Sequence, residues 1–130
     1  MRHTISKVTP DLLHESNLAH IRSKEVRIAY LFLIRVAQGL PGYDCYPAMK
    51  GLVRDFRYFT GEDQPFAFIV NTESLLFYFR KPSLSRFSLD QIENVFDDVT
   101  QPRTSEITVR VKDLNTAELL MWLIFGFVHA

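Results

Sequence analysis

Arg54, Arg57, Arg80, Lys81 and Arg86 fall on either side of an apolar stretch, with Tyr58 and Tyr78 beside them in sequence. Guanidinium groups fork onto phosphate oxygens, and aromatic rings offer faces on which bases stack. Arginine interleaved with tyrosine therefore suits an anionic partner, single-stranded nucleic acid included. Arg54, Arg57, Tyr78, Arg80, Lys81 and Arg86 are the candidate binding residues on this reading. The competing reading is a solvated sheet edge, where charge discourages edge-to-edge aggregation. The whole chain has a net charge of zero, which is not the basic footprint of a dedicated nucleic-acid binder.

Other chemistry is less well supported. Asp90, Glu93, Asp97 and Asp98 supply oxygen ligands that a hard cation would accept, three of them at spacings that share a helix face. Adding Glu106 and Lys112 would sketch a metal-dependent nuclease, but no compact acidic-plus-lysine motif at nuclease spacing is present. A solvated helix face accounts for the same acids. His3, His14, His20 and His129 lack metal-ligand spacing, so no metal and no cofactor is expected. Cys45 is the single cysteine; it excludes an internal disulfide and reads as a small buried hydrophobe rather than a nucleophile. The chain has no glycine-rich phosphate loop, no nucleophile elbow and no HExxH. The reading leans away from an enzyme.

These side chains need a scaffold, and composition allows one. A chain of 130 residues, 47% hydrophobic and 13% aromatic, buries a core without staples and reads as one domain over 1–130. The N-terminus shows no secretory signal. The longest apolar runs, Ile28–Ile34 and Leu119–Val128, fall short of the roughly 18 residues of a spanning helix. A soluble cytoplasmic protein is expected. Residues 1–58 hold nine Lys/Arg against five Asp/Glu, and residues 82–130 hold four against seven. That asymmetry gives one side a mild pull on anions if the halves stay apart.

The stretch Pro65–Pro82 organises the rest. Apolar runs Phe66–Val70 and Leu75–Phe79 flank Asn71-Thr72-Glu73-Ser74, a turn sequence, so a β-hairpin is expected. With its tip at Thr72-Glu73, Val70 faces Leu75, Phe68 faces Phe77 and Phe66 faces Phe79. Those six residues form one apolar face; Ala67, Ile69, Leu76, Tyr78 and Arg80 form the other. Upstream, Thr9-Pro10-Asp11 opens a first helix. Val26–Ala37 forms a deep helix stopped by Gly39, and Ser23 either begins it or continues the first. Leu40–Ala48 reads as a loop. Met49–Thr60 fits either a helix or a strand, with the balance toward a strand over Val53–Phe59. Ser88 and Gln91 form a capping box for a peripheral helix over Ser88–Asp98. Glu106–Lys112 alternates as a half-buried strand, with Ile107, Val109 and Val111 inward. Asn115 caps the last helix with Glu118 at its third position.

The fold class expected is α+β. A mainly antiparallel sheet of about four strands (Val53–Phe59, Phe66–Val70, Leu75–Arg80, Ile107–Lys112) is packed by N-terminal and C-terminal helices. Residues 1–40 are mainly helical; 52–130 carry the sheet and two helices. The expected core is Leu31, Ile34, Phe66, Phe68, Val70, Leu75, Phe77, Phe79, Val109, Leu119, Trp122 and Leu123.

Leu75–Pro82, Phe96–Val99 and Glu106–Ile124 give the C-terminal half a further meaning. An apolar hairpin, RKPSLS, a capped helix ending in FDDV and then SEITVRVKDLNTAELLMWLI follow in that order. The order resembles small bacterial α/β domains of unknown function, of the YdhG-like and MmcQ/YjbR-like kind, which accompany predicted nucleases. The resemblance implies a compact antiparallel sheet packed by helices and a link to nucleic acid. It supplies no catalytic residues, and the N-terminal helical part departs from those shorter domains.

Three functions follow as expectations. The first is a non-catalytic binding module for an anionic partner, with nucleic acid among the candidates. The second is a structural or regulatory protein acting through protein–protein pairing, and the third a metal-dependent enzyme. A homodimer is expected through the C-terminal helix, which is apolar almost all round and needs cover on every side. Leu120, Ile124, Phe127 and Val128 are its candidate exposed stripe.

Overall fold

The computed structural model describes residues 10–126. Among these residues four α-helices and six strands alternate in blocks: α1 Pro10–His20, α2 Lys24–Gln38, β1 Asp44–Lys50, β2 Val53–Thr60, β3 Asp63–Val70, β4 Leu75–Arg80, α3 Leu89–Glu93, β5 Val99–Arg103, β6 Glu106–Val111 and α4 Leu114–Phe125. One sheet in the order β1-β2-β3-β4-β6-β5 holds every strand. Each neighbouring pair is antiparallel. The protein is α+β with an antiparallel sheet, as expected, but of six strands rather than about four.

The hairpin at its centre has the expected register. Val70 pairs with Leu75, Phe68 with Phe77 and Phe66 with Phe79. Because successive side chains alternate across a strand, that register puts Phe56, Tyr58, Phe66, Phe68, Phe77 and Phe79 on one face, all buried. Their rings meet mainly edge-to-face and offset, the arrangement their quadrupoles favour. Among the described residues, helices cover this face alone. Tyr30 of α2 stands edge-on to Phe68, His14 of α1 tilts against Phe56, and Phe125 of α4 meets Phe66.

Two strands lie where none was expected. β1 runs through the segment read as a loop, and β5 follows an α3 that ends at Glu93 rather than Asp98. Both are edge strands, and both contain a proline, Pro47 and Pro102. A proline cannot donate to a second neighbour, which is why edges tolerate it. β2 settles the Met49–Thr60 ambiguity as a strand, joined to β1 by a two-residue loop. Gly51 takes φ 61° there, a left-handed value that costs glycine little.

The helix starts differ in detail. Ser23 caps α2 by accepting from the Val26 amide, so α1 and α2 are separate. Ser88 caps α3. Asp113, not Asn115, caps α4: its carboxylate accepts from the Thr116 amide and hydroxyl. Of the expected core, Ile34, Val109 and the six hairpin residues are buried, Leu119 and Leu123 are half-buried, and Leu31 and Trp122 are exposed.

A helix without apolar periodicity carries no signal for its rotation, and α4 shows the consequence. Its inward residues are Ala117, Leu120, Met121 and Ile124. Leu120 and Ile124 are therefore core residues rather than an exposed stripe, while Phe127 and Val128 lie outside the described residues. No helix among the described residues is long and apolar enough to cross a membrane.

Candidate functional site

With three helices on one face, the opposite face of the sheet lies open among the described residues. Register places its side chains in rows. Tyr46, Arg57, Ala67, Tyr78, Thr108 and Thr100 stand side by side across all six strands. A second row runs from Asp55 through Ile69 and Leu76 to Arg110. Arg80 and Glu106 pair at the far end.

Aromatic rings sit at two places on this face. Tyr46 and Phe59 stack with centroids 5.5 Å apart and planes 15° apart, leaving Tyr46 exposed at the rim. Tyr78 lies near the centre, half-buried. Partial burial and then Glu106 push its hydroxyl above the usual tyrosine range, against the opposing pull of Arg110, Arg80 and Arg103. Beside it Ala67 presents only a methyl group. Tyr78, Arg80, Ala67, Ile69 and Asp55 thus border a shallow hollow of about 240 Å³.

The arginines here are held in place. Arg57 Nε lies 3.1 Å from Asp55 Oδ1, and the two groups are joined by a second bond of 3.2 Å. Arg80 approaches Glu106 at 3.6 Å, and Arg103 reaches the same carboxylate at 4.0 Å. Arg110 lies 3.7 Å from Asp98 and donates to Ser74 Oγ at 2.8 Å. Such half-exposed pairs are worth about 0–1 kcal/mol. They orient the guanidinium planes and are weak enough to be exchanged for a phosphate.

The six candidate binding residues are not one cluster. Arg57, Tyr78 and Arg80 share the open face. Arg54 alternates onto the helix-covered face and donates to Ser16 of α1 at 2.6 Å. Arg86 lies over the Phe87 ring and donates to the Ile124 carbonyl. Lys81 starts a single 3-10 turn after β4 and is exposed at the end of the sheet. Sequence proximity had grouped residues that strand alternation separates. Conversely, Tyr46, Phe59, Arg103 and Arg110 belong to this face and were not singled out. Alternation in EITVRVK did place Arg110 outward; Tyr46 and Arg103 lie on the two strands that were not foreseen.

The remaining candidates are scattered. α3 is too short to gather the acids on one face: Asp97 and Asp98 lie beyond its end, and Asp98 answers Arg110. Among the described residues no group of three or more His, Cys, Asp or Glu side chains is placed to hold a metal ion. His14 bonds the Tyr30 hydroxyl, which also accepts from Asn17 at 3.0 Å, and burial lowers its pKa below the ordinary 6.5. His20 ends α1; His3 and His129 lie outside the described residues. Burial first and Asp44 second push the Cys45 thiol up to about 12, so at neutral pH it is a protonated, unreactive thiol. No family model, no curated protein and no solved structure matches this chain.

Proposed function

We propose that the chain is a non-catalytic binding module that lays a single-stranded nucleic acid across the open face of its sheet. One observation carries the reading: Tyr46, Phe59 and Tyr78 share that face with Arg57, Arg80, Arg103 and Arg110. Rings accept bases by stacking without regard to sequence, and arginines spaced between them meet the phosphates. An extended sheet face is the surface on which several successive unstacked bases can be splayed. Neutral net charge limits long-range attraction, so affinity is expected to depend on close packing and stacking more than on steering.

The test is fluorescence anisotropy with a labelled single strand of mixed sequence at low salt. Tyr78→Ala is expected to weaken binding by about 1–3 kcal/mol, the usual worth of one stacked base. Arg57→Ala and Arg80→Ala are expected to weaken it and to flatten its salt dependence by about 0.7 for each phosphate that is no longer neutralised. Arg54→Ala and Arg86→Ala, both off the face, are expected to leave it unchanged. No complex up to high micromolar protein would remove nucleic acid as the partner. We propose separately that the chain works as a homodimer in which both sheet faces stay open.

A further inference from the structure

The helix layer has an outward side, and there apolar side chains meet water. On α2 the inward positions include Val26, Ala29, Leu33 and Ala37. The opposite side carries Lys24, Ile28, Leu31 and Arg35, whose spacings of four, three and four keep them in one row. Ile28 and Leu31 are 42% and 43% exposed. On α4 the inward residues turn Glu118 and Trp122, one turn apart, the other way, and Trp122 is 51% exposed. Leu114, a turn before Glu118, shares a hollow with Ile28, Leu31 and Arg35, so the two rows adjoin. The surface is apolar in the middle, with cations at both ends of one row and an anion in the other. Lys24, Arg35 and Glu118 have no ion-pair partner among the described residues.

We infer that this surface seats a second copy of the chain, with α2 of each copy lying across α4 of the other about a two-fold axis. The inference rests on the homodimer reading and is independent of the nucleic-acid one. Charge selects the crossing. Laying α2 on α2 sets Lys24 against Arg35 or against its own copy, like charge on like in either direction. Laying α2 on α4 sets a cation against Glu118 and covers Ile28 and Leu31 with Trp122. A two-fold interface repeats every pair, so gain and penalty both occur twice. Tryptophan is among the residue types most often found at the energetic centre of such interfaces. A second copy already carries each half of the match.

Sedimentation equilibrium of the full chain tests this, read beside the fluorescence of Trp122, the single tryptophan. The mass is expected to rise from 15.1 kDa to twice that value as concentration increases, with Trp122 emission shifting to the blue at the same midpoint. Trp122→Glu and Glu118→Arg are each expected to weaken the dimer by at least about tenfold, as truncations at interface centres do. Combining Glu118→Arg with Lys24→Glu and Arg35→Glu is expected to restore it. A single-chain mass at about 200 μM, a concentration at which weak homodimers still form, would overturn the dimer and this surface together. A dimer indifferent to Trp122→Glu and Glu118→Arg would overturn this surface alone and leave the homodimer standing.

Discussion

Tyr58 is the least expected residue in the core. It is fully buried among Phe56, Phe66, Phe68 and Phe77, yet its hydroxyl has no hydrogen-bond partner among the described residues. Burial holds its pKa well above the ordinary 10.0, so the group stays neutral. A buried hydroxyl left unpaired costs about 1–3 kcal/mol. The contrast with Tyr30 is direct, since that hydroxyl is shared between His14 and Asn17. Tyr58→Phe removes the orphan oxygen and keeps every ring in place. It is expected to stabilise the protein by about 1 kcal/mol and to raise Tm by about 3–5 °C. Calorimetry of the two proteins checks this. A destabilisation of about 1 kcal/mol or more would mean the hydroxyl has a partner, with Cys45, its cross-strand neighbour, the first to examine.

Among the elements, α4 tests how capping works in this chain. Asn115 and Glu118 have the spacing of a capping box, but the helix starts earlier because Asp113 offers a better oxygen. Its carboxylate reaches the Thr116 amide at 2.9 Å and carries charge to the positive end of the helix dipole. Asp113→Ala is expected to cost about 1 kcal/mol in chemical denaturation, while Asn115→Ala, at an exposed position inside the first turn, costs less than about 0.5 kcal/mol. Equal costs would return the cap to Asn115. What was legible beforehand follows the same division between strong and weak local signals. The central hairpin could be read to its register because aromatic pairs and a polar turn agree. β6 could be read because its alternation is strict. β1 and β5 could not: DCYPAMK and VTQPR are short, are interrupted by proline, and become strands only because β2 and β6 offer an open edge. The candidate site suffered accordingly. Arg57, Tyr78 and Arg80 were legible, but their neighbours Tyr46 and Arg103 belong to those two strands.

At the scale of the whole molecule, stability is graded from the middle of the sheet outward. β3, β4 and β6 each pair on both sides and carry the rings and branched chains that the helices cover, so their amides are shut from water from several directions. β5 has one neighbour, a break in register between Thr100 and Arg103, and side chains that are exposed from Thr100 to Arg103. Little apolar surface is exposed when β5 alone peels away, whereas releasing β4 takes the core with it. Amides with those two surroundings exchange by different routes, local opening in one case and global unfolding in the other. Native-state hydrogen exchange is therefore expected to show β5 amides exchanging fastest among the strands, at a rate insensitive to low denaturant. The β4 amides of Phe77 and Phe79 are expected to follow the full denaturant dependence of unfolding. The strip that opens first carries Arg103, so a single strand bound across the face is expected to slow β5 exchange and, by stabilising the folded state against global unfolding, that of β4 as well. Protection of β5 equal to that of β4 in the free protein would mean that something beyond its one ladder and the α3 turn holds that edge down.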